Sequence, residues 1–386
     1  MSVRSVIFWI HLLAGLTAGV VIFIMSVTGI AIAFEEEVLA WRDRKVSRIS
    51  TVGPPRTIAD LTRKVEKEHP GFQVASVAVF RDPLRAWEFY PDEGALLYVD
   101  PHTGATQESQ AQTVHEVFHK LEEWHRWLGA SDGPTSTGRL ITGISNLAFV
   151  VLCVTGLYLW FPRKWSWRSL RPLLVLRRGS KGKARDYNWH AVFGFWSLPV
   201  LLVLTAAAVV ISFEWGHRLV FLVAGEEPPK SRGYGMMAVP PPVLPTPAQD
   251  AQPLPLEQVI EPVAKAYPGW ESITLEDLTP ASGALQPLEI GVTLPDSMPS
   301  RAYIPVKSDP YTGAILQAVR FQERSPGLQA RIWLRFLHTG AAFGLPGKVI
   351  ATLATVAAVI LVWTGFSLSW RRYAAWAGRT ARATSA

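Results

Sequence analysis

The chain alternates between four long apolar runs and longer stretches in which polar and charged residues dominate. The last run contains no charged residue and, at about 1.5 Å rise per residue, is long enough to cross a hydrocarbon core of about 30 Å. Tryptophans flank the runs, as in the aromatic belts at membrane interfaces. We therefore predict four transmembrane helices, built on the apolar runs Val6–Ala33, Leu140–Phe161, Ala191–Phe213 and Val349–Ser369.

The two long polar stretches have the mixed periodicities of α+β domains. Each begins with a helical segment, Thr57–Glu68 or Leu256–Ala266, and ends in a related turn, DPHTGA at Asp100–Ala105 or DPYTGA at Asp309–Ala314. Recurrence of the same elements in the same order indicates an internal repeat. The strand candidates are Phe72–Phe80, Arg85–Tyr90, Ala95–Asp100, Ser272–Leu278, Leu288–Leu294 and Ala302–Lys307. We predict an α+β membrane protein built from two parallel repeats.

Charge predicts the orientation in the membrane. Segment 162–188 holds nine Lys or Arg and one acid, and the tail 371–386 holds four Arg and no acid. Segments 35–136 and 214–337 hold more acids than bases. By the positive-inside rule, both termini and the middle loop are cytoplasmic, and the two long loops lie on the opposite side of the membrane. The net charge of +7 is then a topological signal, so we expect lipid and no nucleic acid as a partner.

A histidine precedes a threonine in each of four segments, and glycine follows three of the threonines. The segments pair His11 with Thr28-Gly29, His125 with Thr155-Gly156, His190 with Thr205-Ala206, and His338 with Thr364-Gly365. Three histidines also have glycine four residues on, at Gly15, Gly194 and Gly129, where it would share a helix face and leave room for a flat ligand. Histidine in or beside an apolar span needs a partner, and two facing imidazoles can hold b-type haem. Cys153 is the only cysteine, which excludes covalent attachment through CxxCH.

The repeat predicts how the histidines pair. A two-fold axis along the membrane normal would bring His11 to His190 near the cytoplasmic face and His125 to His338 near the periplasmic face. Two b-type haems would then lie one above the other. Lys348 and Arg139 separate the outer histidines from their apolar spans, so we place the outer pair at the interface.

Three other histidines are alternate ligands. His115 and His119 are spaced i, i+4, which fits either a metal site or a solvated helix face. His119 or His217 would replace His125 if the predicted pairing were wrong.

The motifs around the histidines carry a family resemblance. The DPxTGA units resemble PepSY domains, and the segments HLLAG, WHRWLG, WHAVFG and LHTGAAFGLPGK resemble the PepSY-associated transmembrane family. The resemblance covers almost the whole chain; Thr205-Ala206 is its one departure among the Thr-Gly pairs. Members of this size and four-helix plan resemble inner-membrane ferric-siderophore reductases, which carry b-type haem. The resemblance thus implies two periplasmic PepSY-like domains and reduction of a ferric siderophore.

The predicted boundaries follow from these elements. The membrane helices are 1–34, 139–161, 189–213 and 349–370, and the PepSY-like domains are 35–111 and 256–323. The remaining segments are an interfacial helix 112–138, a cytoplasmic loop 162–188, a Pro-rich linker 214–255, an interfacial segment 324–348 and a cytoplasmic tail 371–386.

Two functions remain open on these grounds. The first is a di-haem oxidoreductase that passes electrons outward to a ferric siderophore or another periplasmic acceptor. The second is a non-enzymatic sensor or inhibitor in which the histidines only pack. No GxGxxG motif opens a nucleotide domain, so the electrons would come from a cytoplasmic reductase or a quinol. For the acceptor we expect aromatic and basic contacts near the outer haem, from Trp124, Arg126, Trp333 and Arg335.

Overall fold

The computed structural model describes two compact units. Its described residues are 2–92, 94–130, 133–229, 242, 244–245, 251–278, 286–300 and 302–384. The helical unit comprises Met1–Glu35, Val117–Val223 and Arg331–Ala386, and the sheet unit comprises Glu36–Glu116 and Ala224–Ala330.

The elements have the following bounds. The helices are α1 Val3–Ile32, α2 Glu35–Asp43, α3 Ile58–Glu68, α4 Gln112–Trp127, α5 Thr137–Trp160, α6 Trp167–Leu174, α7 Gly182–Ser212, α8 Glu214–Val223, α9 Leu256–Ala266, α10 Pro326–His338 and α11 Gly344–Thr384. The strands are β1 Val74–Phe80, β2 Trp87–Pro91, β3 Leu97–Val99, β4 Thr106–Glu108, β5 Ser272–Glu276, β6 Leu288–Thr293, β7 Ile304–Ser308 and β8 Ile315–Ala318.

Four helices of the described chain are long and apolar enough to cross a membrane, and they contain α1, α5, α7 and α11. The prediction of four transmembrane helices is confirmed, and this is the architecture of a multi-pass membrane protein. Neighbouring helices contact in the order α1, α5, α7, α11 and back to α1. Helices α1 and α7 therefore lie on one diagonal of the bundle.

Contacts between helix ends show which ends lie together. The Arg4 guanidinium, at the start of α1, donates to the carbonyls of Leu159 at 2.6 Å and Phe161 at 3.0 Å. The Arg372 guanidinium on α11 lies 4.6 Å from the centre of the Phe8 ring on α1. Asp186 of α7 accepts from the α11 side chain Ser367 at 2.6 Å. The start of α1, the end of α5, the start of α7 and the later part of α11 thus form one end of the bundle.

Several helices extend beyond the predicted boundaries. Helix α11 continues to Thr384 through the predicted tail 371–386, and α7 starts at Gly182 inside the predicted loop 162–188. Helix α8 occupies the first ten residues of the predicted linker 214–255. The predicted bounds are those of the membrane segments, and the helices continue past them because polar turns can extend a helix whose apolar part is already formed. Residues 230–241, 243 and 246–250 of that linker lie outside the described residues.

The sheet unit contains one sheet rather than two. Its eight antiparallel strands run in the order β4-β3-β2-β1-β5-β6-β7-β8. Strand β1 of the first half pairs with β5 of the second, and Val77 lies opposite Leu275 with both side chains fully buried. The segments predicted as PepSY-like domains, 35–111 and 256–323, therefore share one sheet. Each half alone would leave one edge of β1 or β5 unpaired, and the β1–β5 pairing removes both edges.

One hydrophobic core serves both halves. It joins Phe89 and Val65 of the first half to Ile273 and Val259 of the second. Helices α3 and α9 contact each other, and the backbone N–H of Ile58 at the start of α3 donates to the Glu257 carboxylate on α9. The halves are therefore joined by backbone pairing, apolar packing and a helix cap.

The repeated turns are hairpins with the same hydrogen bonds. The Asp100 carboxylate accepts from the backbone N–H of His102 at 2.8 Å, and the Asp309 carboxylate accepts from that of Tyr311 at 2.8 Å. Gly104 and Gly313 have φ of 73° and 72°, which side chains rarely adopt. Each turn leads into a short strand, β4 or β8, that the sequence pattern did not predict because it is brief and carries polar residues.

A substitution can test whether the two halves share one core. Leu275→Ala should destabilise the sheet unit by about 2–5 kcal/mol because it leaves a cavity in a fully buried position. Hydrogen exchange of the full chain should then accelerate in β1–β3 as well as in β5–β7. Lys265→Ala, which removes only an exposed ion pair with Glu261, is the control and should change exchange little. Acceleration confined to residues 256–318 would show that the halves are independent.

Candidate functional site

Two pairs of histidines lie within the helical unit. The imidazole centroids of His11 and His190 are 6.3 Å apart, with the rings nearly perpendicular at 86°. Those of His125 and His338 are 6.2 Å apart, with an angle of 46°. The structure thus brings together the histidines that the repeat predicted to pair, and their role as ligands stays a prediction.

The first pair connects the diagonal helices of the bundle. His11 lies on α1, and its Nδ1 is 2.9 Å from the hydroxyl of Thr155 on α5. That hydroxyl donates its own proton to the Val151 carbonyl at 2.6 Å, so its oxygen accepts from His11. Nδ1 of His11 therefore carries the proton, and the lone pair is on Nε2.

His190 has the same arrangement on α7. Its Nδ1 is 2.9 Å from the hydroxyl of Thr364 on α11. Thr364 donates to the Ile360 carbonyl at 2.8 Å and so accepts from the imidazole. Both members of this pair are consequently held in the Nδ1–H tautomer, with Nε2 available to a metal.

The second pair is held by backbone carbonyls. Nδ1 of His125, on α4, donates to the Met25 carbonyl of α1 at 2.8 Å and lies 3.2 Å from the Thr28 hydroxyl. Nδ1 of His338, on α10, donates to the Leu204 carbonyl of α7 at 3.0 Å. The residue after Leu204 is Thr205, whose hydroxyl donates to the Leu201 carbonyl at 2.8 Å. Both members of the second pair thus have a carbonyl partner, and at the Thr28-Gly29 pair a threonine hydroxyl lies near the ring as well.

Burial favours the neutral form of both His125 and His338 by lowering the pKa of each. Burial lowers the pKa of His125 to about 4, and the nearby His338 and Arg126 act in the same direction. Burial also lowers the pKa of His338, against the opposing effect of the Leu204 carbonyl. A neutral imidazole with its proton on Nδ1 keeps the Nε2 lone pair that a metal requires.

The glycines of the Thr-Gly pairs lie against the histidine rings. A methyl group added at Gly156 would meet Cε1 of His11 at 3.2 Å, and one added at Gly29 would meet Cε1 of His125 at 3.0 Å. At Gly365 the distance to His190 is 3.7 Å, an ordinary contact. The recurring Thr-Gly pair therefore has a physical role: threonine orients the imidazole, and at Gly156 and Gly29 the glycine makes room for it. The repeated Thr-Gly pairs were visible in the sequence, but their contact with the imidazole rings was not predicted.

The glycines proposed to lie beside the ligand have other surroundings. A Cβ at Gly15 or Gly194 would meet a leucine at 3.7 or 3.5 Å, so their contact with a cofactor stays a prediction. The prediction that Gly129 shares a helix face with His125 needs correction, because α4 ends at Trp127 and Gly129 has φ of 74°. It ends the helix and does not extend the His125 face.

The alternate ligands take separate positions. His115 and His119 are exposed on α4, and His119 lies 3.5 Å from Glu123. His217 is buried on α8, with its ring 5.1 Å from Phe221. The outer pair forms without any of them. Among the described residues, no group of three or more His, Cys, Asp or Glu side chains could hold a metal ion.

The residues predicted to meet the acceptor are all in the helical unit. Trp124 is exposed, and Arg126 contacts Glu122 at 2.7 Å and covers the Trp127 ring at 4.4 Å. Trp333 and Arg335 are half-buried on α10. They lie on the two helices that carry His125 and His338, and their contact with an acceptor stays a prediction.

Comparison with known families accounts for nearly the entire chain. The model of the PepSY-associated TM region matches residues 8–372, which include all four paired histidines. A search among curated proteins found no match. Four apolar helices, the antiparallel sheet and this match lead to one conclusion: the chain belongs to the PepSY-associated transmembrane family.

Proposed function

We propose that this protein is a di-haem b oxidoreductase of the bacterial inner membrane that carries electrons outward to a ferric siderophore. The observation that carries the proposal is the presence of two histidine pairs. In each of the four histidines, Nδ1 is engaged in a hydrogen bond and Nε2 is available. When bound, b-type haem supplies a one-electron carrier. The residues of the chain would hold and orient it.

The spacing of the imidazoles fits a metal between them. If two imidazoles bind one metal through Nε2, each with a metal–nitrogen bond of about 2.0–2.1 Å, their ring centroids lie about 6.3 Å apart. The distances of 6.3 and 6.2 Å match this value. A porphyrin brings four nitrogen ligands of its own, so two histidines per site complete the iron coordination.

The two sites are suitably placed for transfer across the membrane. At about 1.5 Å rise per residue, α1 spans about 25 Å from His11 to Thr28, and α7 spans about 21 Å from His190 to Leu204. We infer that the two halves form parallel repeats, since α1–α4–α5 and α7–α10–α11 place their histidines against equivalent neighbours. The sites would then form a path from one face to the other.

The direction of transfer follows from charge and chemistry. The positive-inside rule puts the bundle end with the basic segments, and both termini, in the cytoplasm. The donor would be a cytoplasmic reductase or a quinol. One electron delivered to Fe(III) in the periplasmic chelate gives Fe(II), which binds hard oxygen ligands less strongly and is released. Trp124, Arg126, Trp333 and Arg335 would hold the oxygen-rich chelate by stacking and charge-assisted hydrogen bonds.

Spectroscopy of histidine variants tests the cofactor and its pairing. The purified protein should show two b-type haems per chain in a reduced-minus-oxidised spectrum, extractable by acidified solvent. His11→Ala and His190→Ala should each remove the same haem, and His125→Ala and His338→Ala the other, because each haem needs both imidazoles. His69→Ala is the control, since His69 contacts Thr106 in the sheet unit.

The outcomes of this experiment discriminate the alternatives. Absence of haem from the native protein would refute the oxidoreductase and favour a sensor or inhibitor. Loss of the outer haem in His119→Ala or His217→Ala, with retention in His125→Ala, would identify an alternate ligand.

The role of threonine as an orienting residue is tested separately. Thr155→Val should weaken haem binding at the His11 site by about 10–100-fold and shift the midpoint potential of that haem alone, since it removes the acceptor for Nδ1–H. Thr155→Ser should restore both values. Thr17→Val, on the exposed side of α1, is the matched control because its hydroxyl bonds only within its own helix. An unchanged potential in Thr155→Val would contradict the orienting role.

The direction of electron flow is tested in sealed proteoliposomes of known orientation. Membrane-impermeant ferric siderophore added to the side bearing the sheet unit segments 36–116 and 224–330 should rapidly oxidise pre-reduced haem. Addition to the other side should have little effect. Equal oxidation from both sides would refute outward transfer, and oxidation only from the terminal side would reverse it.

A further inference from the structure

A pocket of about 590 Å³ lies beside α6, and its lining includes none of the paired histidines. Four arginines line it together with an exposed tryptophan and two exposed aliphatic residues. The arginines are Arg168, Arg171, Arg177 and Arg178, and the apolar residues are Trp167, Val175 and Leu176. The pocket therefore combines concentrated positive charge with an apolar surface.

The backbone around the pocket is fixed by α7. Asn188, which is 3% exposed, donates to the carbonyls of Pro172 at 2.6 Å and Val175 at 3.1 Å and accepts from the backbone N–H of Arg177 at 2.8 Å. The Trp196 indole donates to the Leu174 carbonyl at 3.0 Å. These bonds hold the α6 segment against α7 and give the pocket a defined shape.

The positive charge of the pocket is not neutralised nearby. Asp186 is the one acid in segment 162–188, and it is already held by Arg185 at 2.9 Å, Arg371 at 3.2 Å and Ser367 at 2.6 Å. Within the part of the chain that the structure describes, none of the four pocket arginines forms a salt bridge. The positive-inside rule explains basic residues on this side, and it does not require four arginines to line one cavity.

We infer that this pocket binds one anionic phospholipid from the leaflet on the side of the chain termini. Guanidinium groups bind phosphate oxygens through paired hydrogen bonds, which lysine cannot reproduce. Val175 and Leu176, 50% and 46% exposed, offer a surface for the start of an acyl chain. Trp167, 68% exposed, has the character of an interfacial anchor. A soluble phosphate would use the arginines and leave this apolar surface uncovered.

The test compares two variants of equal charge. The pocket variant carries Arg168→Gln, Arg171→Gln, Arg177→Gln and Arg178→Gln, and the control carries Lys164→Gln, Lys181→Gln, Lys183→Gln and Arg379→Gln. Full-length protein in neutral detergent is titrated with phosphatidylglycerol, phosphatidylcholine or inorganic pyrophosphate. Retained lipid is counted by native mass spectrometry, and size-exclusion chromatography checks the fold.

The native protein should retain phosphatidylglycerol in preference to phosphatidylcholine. The pocket variant should bind it at least about tenfold more weakly, and the control within about twofold of native.

If the pocket variant fails to fold, Arg177→Gln with Arg178→Gln, both after α6, should still weaken binding, and Arg171→Lys should weaken it with the charge retained. Equal losses in both four-charge variants would overturn the pocket in favour of general surface charge. Tight binding of pyrophosphate, undisturbed by phosphatidylglycerol, would overturn the lipid in favour of a soluble ligand.

Discussion

The imidazole N–H groups within the helix bundle need acceptors, and this need ties the four paired histidines to neighbouring helices. An unsatisfied polar group in an apolar environment costs several kcal/mol. Each of the four paired histidines meets the requirement at Nδ1 with a partner on a neighbouring transmembrane helix. The same bond fixes the direction of the ring and leaves the second nitrogen for another partner. One interaction therefore links each imidazole's orientation to a contact between neighbouring helices.

The sheet unit depends on a comparable constraint on strand edges. Strands β1 and β5 are the first strands of their halves; β1 is largely apolar, and β5 alternates polar residues with the buried Ile273 and Leu275. Their pairing places them at the centre of the sheet and leaves β4 and β8, which are short and partly exposed, at its borders. The two halves therefore form a single sheet, because a four-stranded half alone would expose an aggregation-prone edge.

The sequence predicted those features that depend on length, charge and repetition. Four spans follow from apolar length, and the proximity of His11 to His190 follows from the repeat. The partners of the histidines could not be predicted, because helix periodicity does not show which helices are neighbours: Thr28 follows His11 in the sequence but contacts His125. The β1–β5 pairing was not predicted, because strand periodicity likewise does not show which strands are neighbours. Helix α8 was not predicted, because the prolines that follow it led to the interpretation of 214–255 as a linker.

The hydrogen bonds of the histidines also have a consequence for biosynthesis. Every acceptor for His11 and His125 lies within residues 1–160, and every acceptor for His190 and His338 lies beyond them. The first half can thus align its two rings while the ribosome is still making the second. What it lacks until α7 and α10 arrive is the opposing imidazole. A chain that ended after α5 would carry one histidine of each pair together with that histidine's own hydrogen-bond acceptor.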